Sequence, residues 1–256
     1  MDLNGSEVFM ERKELLPSPV VNVKAVIFDC DGVLVDSEYF HYLSWQLAMQ
    51  KYGHDLTLDE YCFYVGESGV EVARLIAAKM GIDCADELLM DKRVHYRRLQ
   101  AQGIPSIQST VDFVRLLAKE KSRLGFSLGV ASAAKKEEVL LHLRHHGIEE
   151  CFDIVLSGQD DLKQYHDPEG VNKPKPYIYL HTAKMLGVSP EQCIVIEDSY
   201  SGVCAGVGAG CITIAVPTEF TLKQDLSHAT FKIASFAGMD VDQFFQSLRL
   251  HFLQTN

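Results

Sequence analysis

Between Val23 and Phe28 the chain is apolar except for one lysine, and Asp29-Cys30-Asp31-Gly32 follows at once. A short β-branched run without polar alternation predicts a strand buried on both faces, as in a parallel sheet. Similar runs at Phe126–Ala131, Ile154–Leu156, Cys193–Ile196 and Ile212–Val216 predict four more. Helical periodicity fills most of the gaps. Lys136–His146 gathers Val139, Leu140 and Leu143 on one face and stops at Gly147; Tyr177–Leu186 stops at Gly187. Glycine just past the last periodic residue is a helix stop. Strands alternating with helices predict an α/β fold with a doubly wound, mainly parallel sheet.

The segment 38–105 breaks this rhythm. It predicts four helices and no strand: Glu38 to about Tyr52, one opened by the capping-box spacing Thr57-Leu58-Asp59-Glu60, Ser68–Met80, and Cys84–Gln102. An all-helical insertion after the first strand predicts a separate cap, 38–105, between two parts of an α/β core, 22–37 and 106–256. Residues 1–21, ending near Pro17 and Pro19, read as a tail. A last helix opened by Asp240 would present Phe244, Leu248 and Phe252 at four-residue spacing.

Composition narrows the partners. The chain has 256 residues, 47% hydrophobic, enough for a full core. A formal net charge of −11 disfavours nucleic acid and anionic membranes as partners. It also repels a phosphorylated ligand at long range, so any phosphate site must be built locally. Seven cysteines without C-x-x-C spacing, no apolar leader and no run of about 18 apolar residues predict a reduced, cytoplasmic protein. The cysteines read as small buried hydrophobes.

The strongest chemical signal is the string from Asp29 to Ser37. Asp29 falls at the carboxyl end of the first strand, where open α/β sheets place their sites. Strand geometry turns Asp29 and Asp31 to one side. Two carboxylates so close repel unless a cation or a shared proton separates them. Gly32 lets the chain turn away.

This string resembles the first motif of the haloacid dehalogenase superfamily, Asp-x-Asp-Gly-x-x-x-Asp-Ser/Thr. Val130-Ala131-Ser132, Lys173-Pro174-Lys175-Pro176 and Ile196-Glu197-Asp198-Ser199 resemble the other three, in order. The third lacks its usual leading glycine and trailing aspartate. The resemblance implies that Asp29 is a nucleophile forming an aspartyl phosphate and that Asp31 protonates the leaving oxygen. Ser132 and Lys173 would hold phosphoryl oxygens. Asp29, Asp31 (through its carbonyl), Asp198 and Glu197 would hold Mg2+, a hard cation that takes oxygen ligands. Asp31 separates the chain from the dehalogenases proper, in which the second aspartate is missing.

Within the superfamily, Asp36 to His41 is similar to the cap entry of the β-phosphoglucomutase-like branch. There a histidine at the place of His41 faces the site; a helix-surface histidine is the equal alternative. The cap loop carries Glu67 rather than a base, which argues against a bisphosphorylated sugar. Arg74 and Lys79 are the bases that could substitute. His142, His145 and His146 read as a solvated helix end. The implied function is a magnesium-dependent phosphatase for a small phosphomonoester, with a mutase or a non-catalytic binding protein as alternatives.

Overall fold

The computed structural model describes residues 22–65 and 69–254, with side chains to residue 249. The predicted tail, Glu67 and Phe252 lie outside the described residues or side chains. Six strands form one parallel sheet: β1 (Ala25–Phe28), β2 (Ser127–Ser132), β3 (Ile154–Ser157), β4 (Cys193–Glu197), β5 (Ile212–Ala215) and β6 (Phe231–Lys232). Their spatial order is β3-β2-β1-β4-β5-β6. The order reverses at β1, which pairs with β2 on one side and β4 on the other. The crevice beyond the carboxyl ends of β1 and β4 is therefore a topological switch point.

Both sheet faces are covered, which explains the unbroken apolar runs. Val26, Phe28, Val130, Ile194 and Ile196 point to one face, packed by α5 (Gln108–Leu124), α6 (Lys136–His145) and α9 (Val241–Gln254). Ile27, Ala131 and Val195 point to the other, beneath α7 (Tyr177–Leu186) and near α8 (Tyr200–Gly208). Each fully buried Ile or Val contributes about 1.5–3 kcal/mol relative to exposure. Neither α5 nor β6 is among the predicted elements.

The remaining helices are α1 (Ser37–Gln50), α2 (Leu58–Tyr61), α3 (Gly69–Met80) and α4 (Ala85–Gln100). Thr57 caps α2, accepting from the Glu60 amide at 3.2 Å. These helices share a cluster of their own around Trp45, Met49, Ile76 and Leu88. The chain leaves the core at Asp36 and returns at Pro105, whose carbonyl accepts from the Asp36 amide at 2.9 Å. All seven cysteines are free; Cys30, Cys193 and Cys211 are buried, whereas Cys62, Cys84, Cys151 and Cys204 are only half-buried. No helix among the described residues is long and apolar enough to cross a membrane.

Candidate active site

Asp29 follows β1 directly, and its amide donates to Ile196 O at 3.0 Å, tying the loop to β4. Glu197 is the last residue of β4, and Asp198 follows it. Asp29, Glu197 and Asp198 are all buried, with carboxylate oxygens within 4.8 Å of one another. Lys173 reaches in from the loop before α7. Its Nζ donates to Asp29 Oδ1 at 2.8 Å, Glu197 Oε1 at 2.7 Å and Ala131 O at 3.1 Å.

The backbone is shaped around these carboxylates. Gly32 has φ +74°, and a Cβ there would stand 2.3 Å from Asp198 Oδ2. A Cβ on Gly202, in the first turn of α8, would stand 1.9 Å from the Glu197 carboxyl carbon. Only glycine permits either approach.

Three buried carboxyl groups face one ammonium, so full ionisation would leave an excess of two negative charges. Burial pushes the Asp29 carboxyl up to about 7, with Lys173 pulling the other way and Glu197 and Asp31 adding to the rise. Burial, then the charges of Glu197 and Asp29, holds Asp198 well above the usual carboxylate range. Burial alone would lower Lys173; Asp29 and Glu197 overcome that and keep it charged. A hard divalent cation fits this donor set, because it offsets the excess charge and takes carboxylate oxygens.

Asp31 stands apart from that cluster. Ser37 Oγ donates to one of its oxygens at 2.6 Å, and Ser132 Oγ lies 3.3 Å from the other. Ser132 is fully buried and accepts from the Ala134 amide at 3.0 Å; the N-cap of α6 is Lys135, so Ser132 does not cap that helix. Asp29, Asp31, Ser132, Lys173, Glu197 and Asp198 thus converge on one crevice. Glu197 does more than the motif suggests. It takes Lys173 and the Tyr179 hydroxyl (2.5 Å) on one oxygen and the Asp198 amide (3.2 Å) and Ser199 hydroxyl (3.3 Å) on the other.

The helical side supplies a second set of groups. His41 is half-buried, stacks on Tyr96 at 4.2 Å, and its Nδ1 lies 2.7 Å from Lys92 Nζ. Burial, then the Lys92 charge, drives the His41 imidazole well below its ordinary value, so it is neutral and accepts from Lys92. Lys92 is buried against the faces of Tyr96 and Trp45, and burial lowers it to about 8. Glu38 receives the Tyr61 hydroxyl, and burial raises its carboxyl. Glu38, Tyr96, Glu138 and His142 all feel the charge of Asp31. His142 is only 5% exposed, which corrects the reading of a solvated helix end: it shares the apolar face of α6 with Val139 and Leu143.

Arg74 and Lys79 take no part in this ring. Both are exposed and paired at the surface, with Glu71 and Glu60. Lys92, Tyr61 and Tyr179 join the site without belonging to any sequence motif, and Glu38 joins it from the Asp36 to His41 string. Lys92 does carry a signal: it follows buried Leu88 by four residues and so shares its helix face.

A parallel α/β sheet with buried carboxylates at its switch point, a lysine among them and a helical cover defines a hydrolase of a particular class. The chain belongs to the haloacid dehalogenase-like hydrolases, whose family model matches residues 23–210. It is 31% identical over 193 residues to a phosphorylated carbohydrates phosphatase of Thermotoga maritima, covering 73% of this chain and 82% of that one. It is 29% identical to the putative phosphatase YhcW of Bacillus subtilis, covering 86% and 94%. A β-phosphoglucomutase from Clostridium difficile superposes with a TM-score of 0.66 at 24% identity, covering 90% of this chain and 99% of that one; it speaks for the fold alone.

Proposed function

We propose that this hydrolase is a magnesium-dependent phosphatase acting on a small sugar or polyol phosphate through an aspartyl phosphate on Asp29. The observation that carries this reading is the contrast between two aspartates on one loop. Asp29 is buried against Lys173; Asp31 is held apart by the hydroxyls of Ser37 and Ser132. Two carboxyl groups in unlike surroundings suit two roles.

In the first step Asp29 attacks phosphorus and the ester P–O bond breaks. Asp31 gives the leaving oxygen its proton. In the second, Asp31 takes a proton from a water that attacks phosphorus, and Asp29 leaves with inorganic phosphate formed. Lys173 and Ser132 hold the transferring oxygens, and Glu197 fixes Lys173. Bound at Asp29, Asp198 and the Asp31 carbonyl, with Glu197 behind them, Mg2+ would supply the positive charge that lets a phosphate dianion enter.

The helices of 38–105 form a cap that limits the substrate to a small metabolite, and the protein acts in the cytoplasm. The name of the Thermotoga maritima relative, a phosphorylated carbohydrates phosphatase, supports the substrate class. Glu67 remains a candidate substrate contact. His41 acts through Lys92 rather than alone.

Lys92 supports a second reading. A buried cap ammonium could grip a second phosphate, as a mutase requires. Phosphate release and phosphorus NMR of a β-glucose 1-phosphate reaction separate the two. Free phosphate from several monophosphates without a bisphosphate activator is the expected result; glucose 6-phosphate with negligible free phosphate would reverse it.

A further inference from the structure

The loop after β5 touches both sides of the crevice. Phe220 is 1% exposed, yet it is not buried with the core that bears it. It inserts among Trp45, Tyr61 and Ile76, in a cluster whose other fully buried members all lie between Trp45 and Leu89. Its ring meets Tyr61 edge-on, with centroids 6.1 Å apart.

Gln224 bridges the same divide with hydrogen bonds. Its Oε1 accepts from the Tyr200 amide at 2.7 Å, at the start of α8. Its Nε2 donates to Val65 O at 3.2 Å, on the helical side. Between the two, buried Thr221 places its hydroxyl 3.5 Å from Asp198 Oδ2. Lys223 adds an exposed ion pair with Asp59 at 3.0 Å, worth little by itself.

We infer that the loop Pro217–Gln224 is a latch, in which Phe220 and Gln224 are positioning residues that hold the cap over the catalytic crevice. Among the described residues the chain crosses between cap and core at Asp36 and Pro105, and Phe40 and Tyr96 of the helical segment pack against the core cluster. The latch adds a further attachment, beside the linkers, that is non-covalent and can release. A cavity of about 270 Å³ lies beside it, lined by Asp36 and Ile107 from the linkers and by Thr218 and Phe220 from the loop. An apolar plug suits a releasable contact, because its burial is non-directional and it re-forms after each opening. The hydrogen bonds of Gln224 then fix the register in which the cap seats.

The kinetic part of this inference rests on the phosphatase reading; the structural part does not. The test compares Phe220→Ala, Phe220→Leu and Gln224→Leu with the unaltered protein. Small-angle X-ray scattering without substrate reads the cap position, and phosphate release reads KM and kcat. Phe220→Ala and Gln224→Leu should expand the scattering envelope. KM for a sugar monophosphate should rise about tenfold in Phe220→Ala, with kcat held within about twofold, because the competent closed state becomes the minor one. Phe220→Leu, which keeps an apolar plug, should restore most of both. An unchanged scattering curve in both Phe220→Ala and Gln224→Leu overturns the latch, whatever the kinetics. Gln224→Leu guards against a Phe220→Ala cap that fails to fold. Expanded envelopes in a protein that releases no phosphate under any condition would leave the latch standing and remove the phosphatase.

Discussion

The two sides of the crevice are built on different principles. On the core side, ionisable groups are packed closely together: Asp29, Glu197 and Asp198 around Lys173. Their positions are fixed by strand ends and by glycines that admit no side chain. On the cap side, polar groups are threaded among aromatic rings: Lys92 over Tyr96 and Trp45, His41 on Tyr96, Glu38 against Tyr61. Fully ionised, the first arrangement would carry an excess of negative charge, which a cation offsets. The second holds its polar groups in protein contacts, with the Lys92 ammonium near the carboxyl groups of Glu38 and Glu138. This contrast suits a division of labour, with chemistry on the core and recognition on the cap.

The sharpest break of that contrast is Asp29→Asn. The amide cannot attack phosphorus, so kcat should fall by at least about 10³-fold with the fold intact, as circular dichroism and phosphate release would show. Substantial remaining turnover would remove the nucleophile from the core side. Glu197→Gln comes next. It keeps the shape but removes the charge that orients Lys173, and kcat/KM should fall about 10–100-fold with weaker metal activation. A titration of activity against Mg2+ reads both. An unaltered metal response would show that Glu197 serves packing only.

Lys92→Met tests the cap side, and the expected signature is in KM. A loss of about tenfold in kcat/KM through KM, with kcat nearly unchanged, marks ground-state recognition. The pH dependence follows from its value of about 8 against an ordinary 10.5. Lys92 is charged below about 8, so KM should rise as pH climbs past that point, and the variant should lose this limb. For stability the sign is the reverse. Burying the charge costs stability fully below about pH 8, and the cost fades as pH rises towards 10.5. A KM that is flat across pH 7–9 in the unaltered protein would take Lys92 out of substrate binding. The smallest effect is expected at Lys175, which pairs with Glu169 and Asp167 outside the crevice. Lys175→Ala should leave kcat/KM within about twofold, since an exposed ion pair contributes little.

The core half of the site is legible in the sequence because its residues sit at strand ends. An apolar run predicts the strand, and the next polar residue is then placed in space. Asp29, Ser132 and Asp198 are all located this way. The cap half is not legible, because helical positions are ambiguous to rotation. Lys92 stands in a basic stretch with Arg93, Arg97 and Arg98 and differs from them in being buried against Tyr96 and Trp45 while they are exposed. The same ambiguity hides the buried face of His142. Phe220 cannot be assigned from sequence at all: it lies outside any regular element, and its partners are more than 130 residues earlier in the chain. Strand β6 has only two residues, too few for a periodic signal. Helix α5 does leave a trace in Val111, Val114 and Leu117, whose spacing marks a buried face.

In the proposed reaction, phosphate passes through Asp29. Asp31→Asn should slow the second step, because water loses its base, so the phosphoryl group should accumulate. Rapid acid quench of that variant with a radiolabelled aryl phosphate, followed by peptide mapping, reads it directly. Label on Asp29 should approach one per chain, formed in a burst with the aryl alcohol. Label on another residue, or turnover without any protein-bound phosphate in a protein whose Asp29→Asn variant stays active, would contradict it.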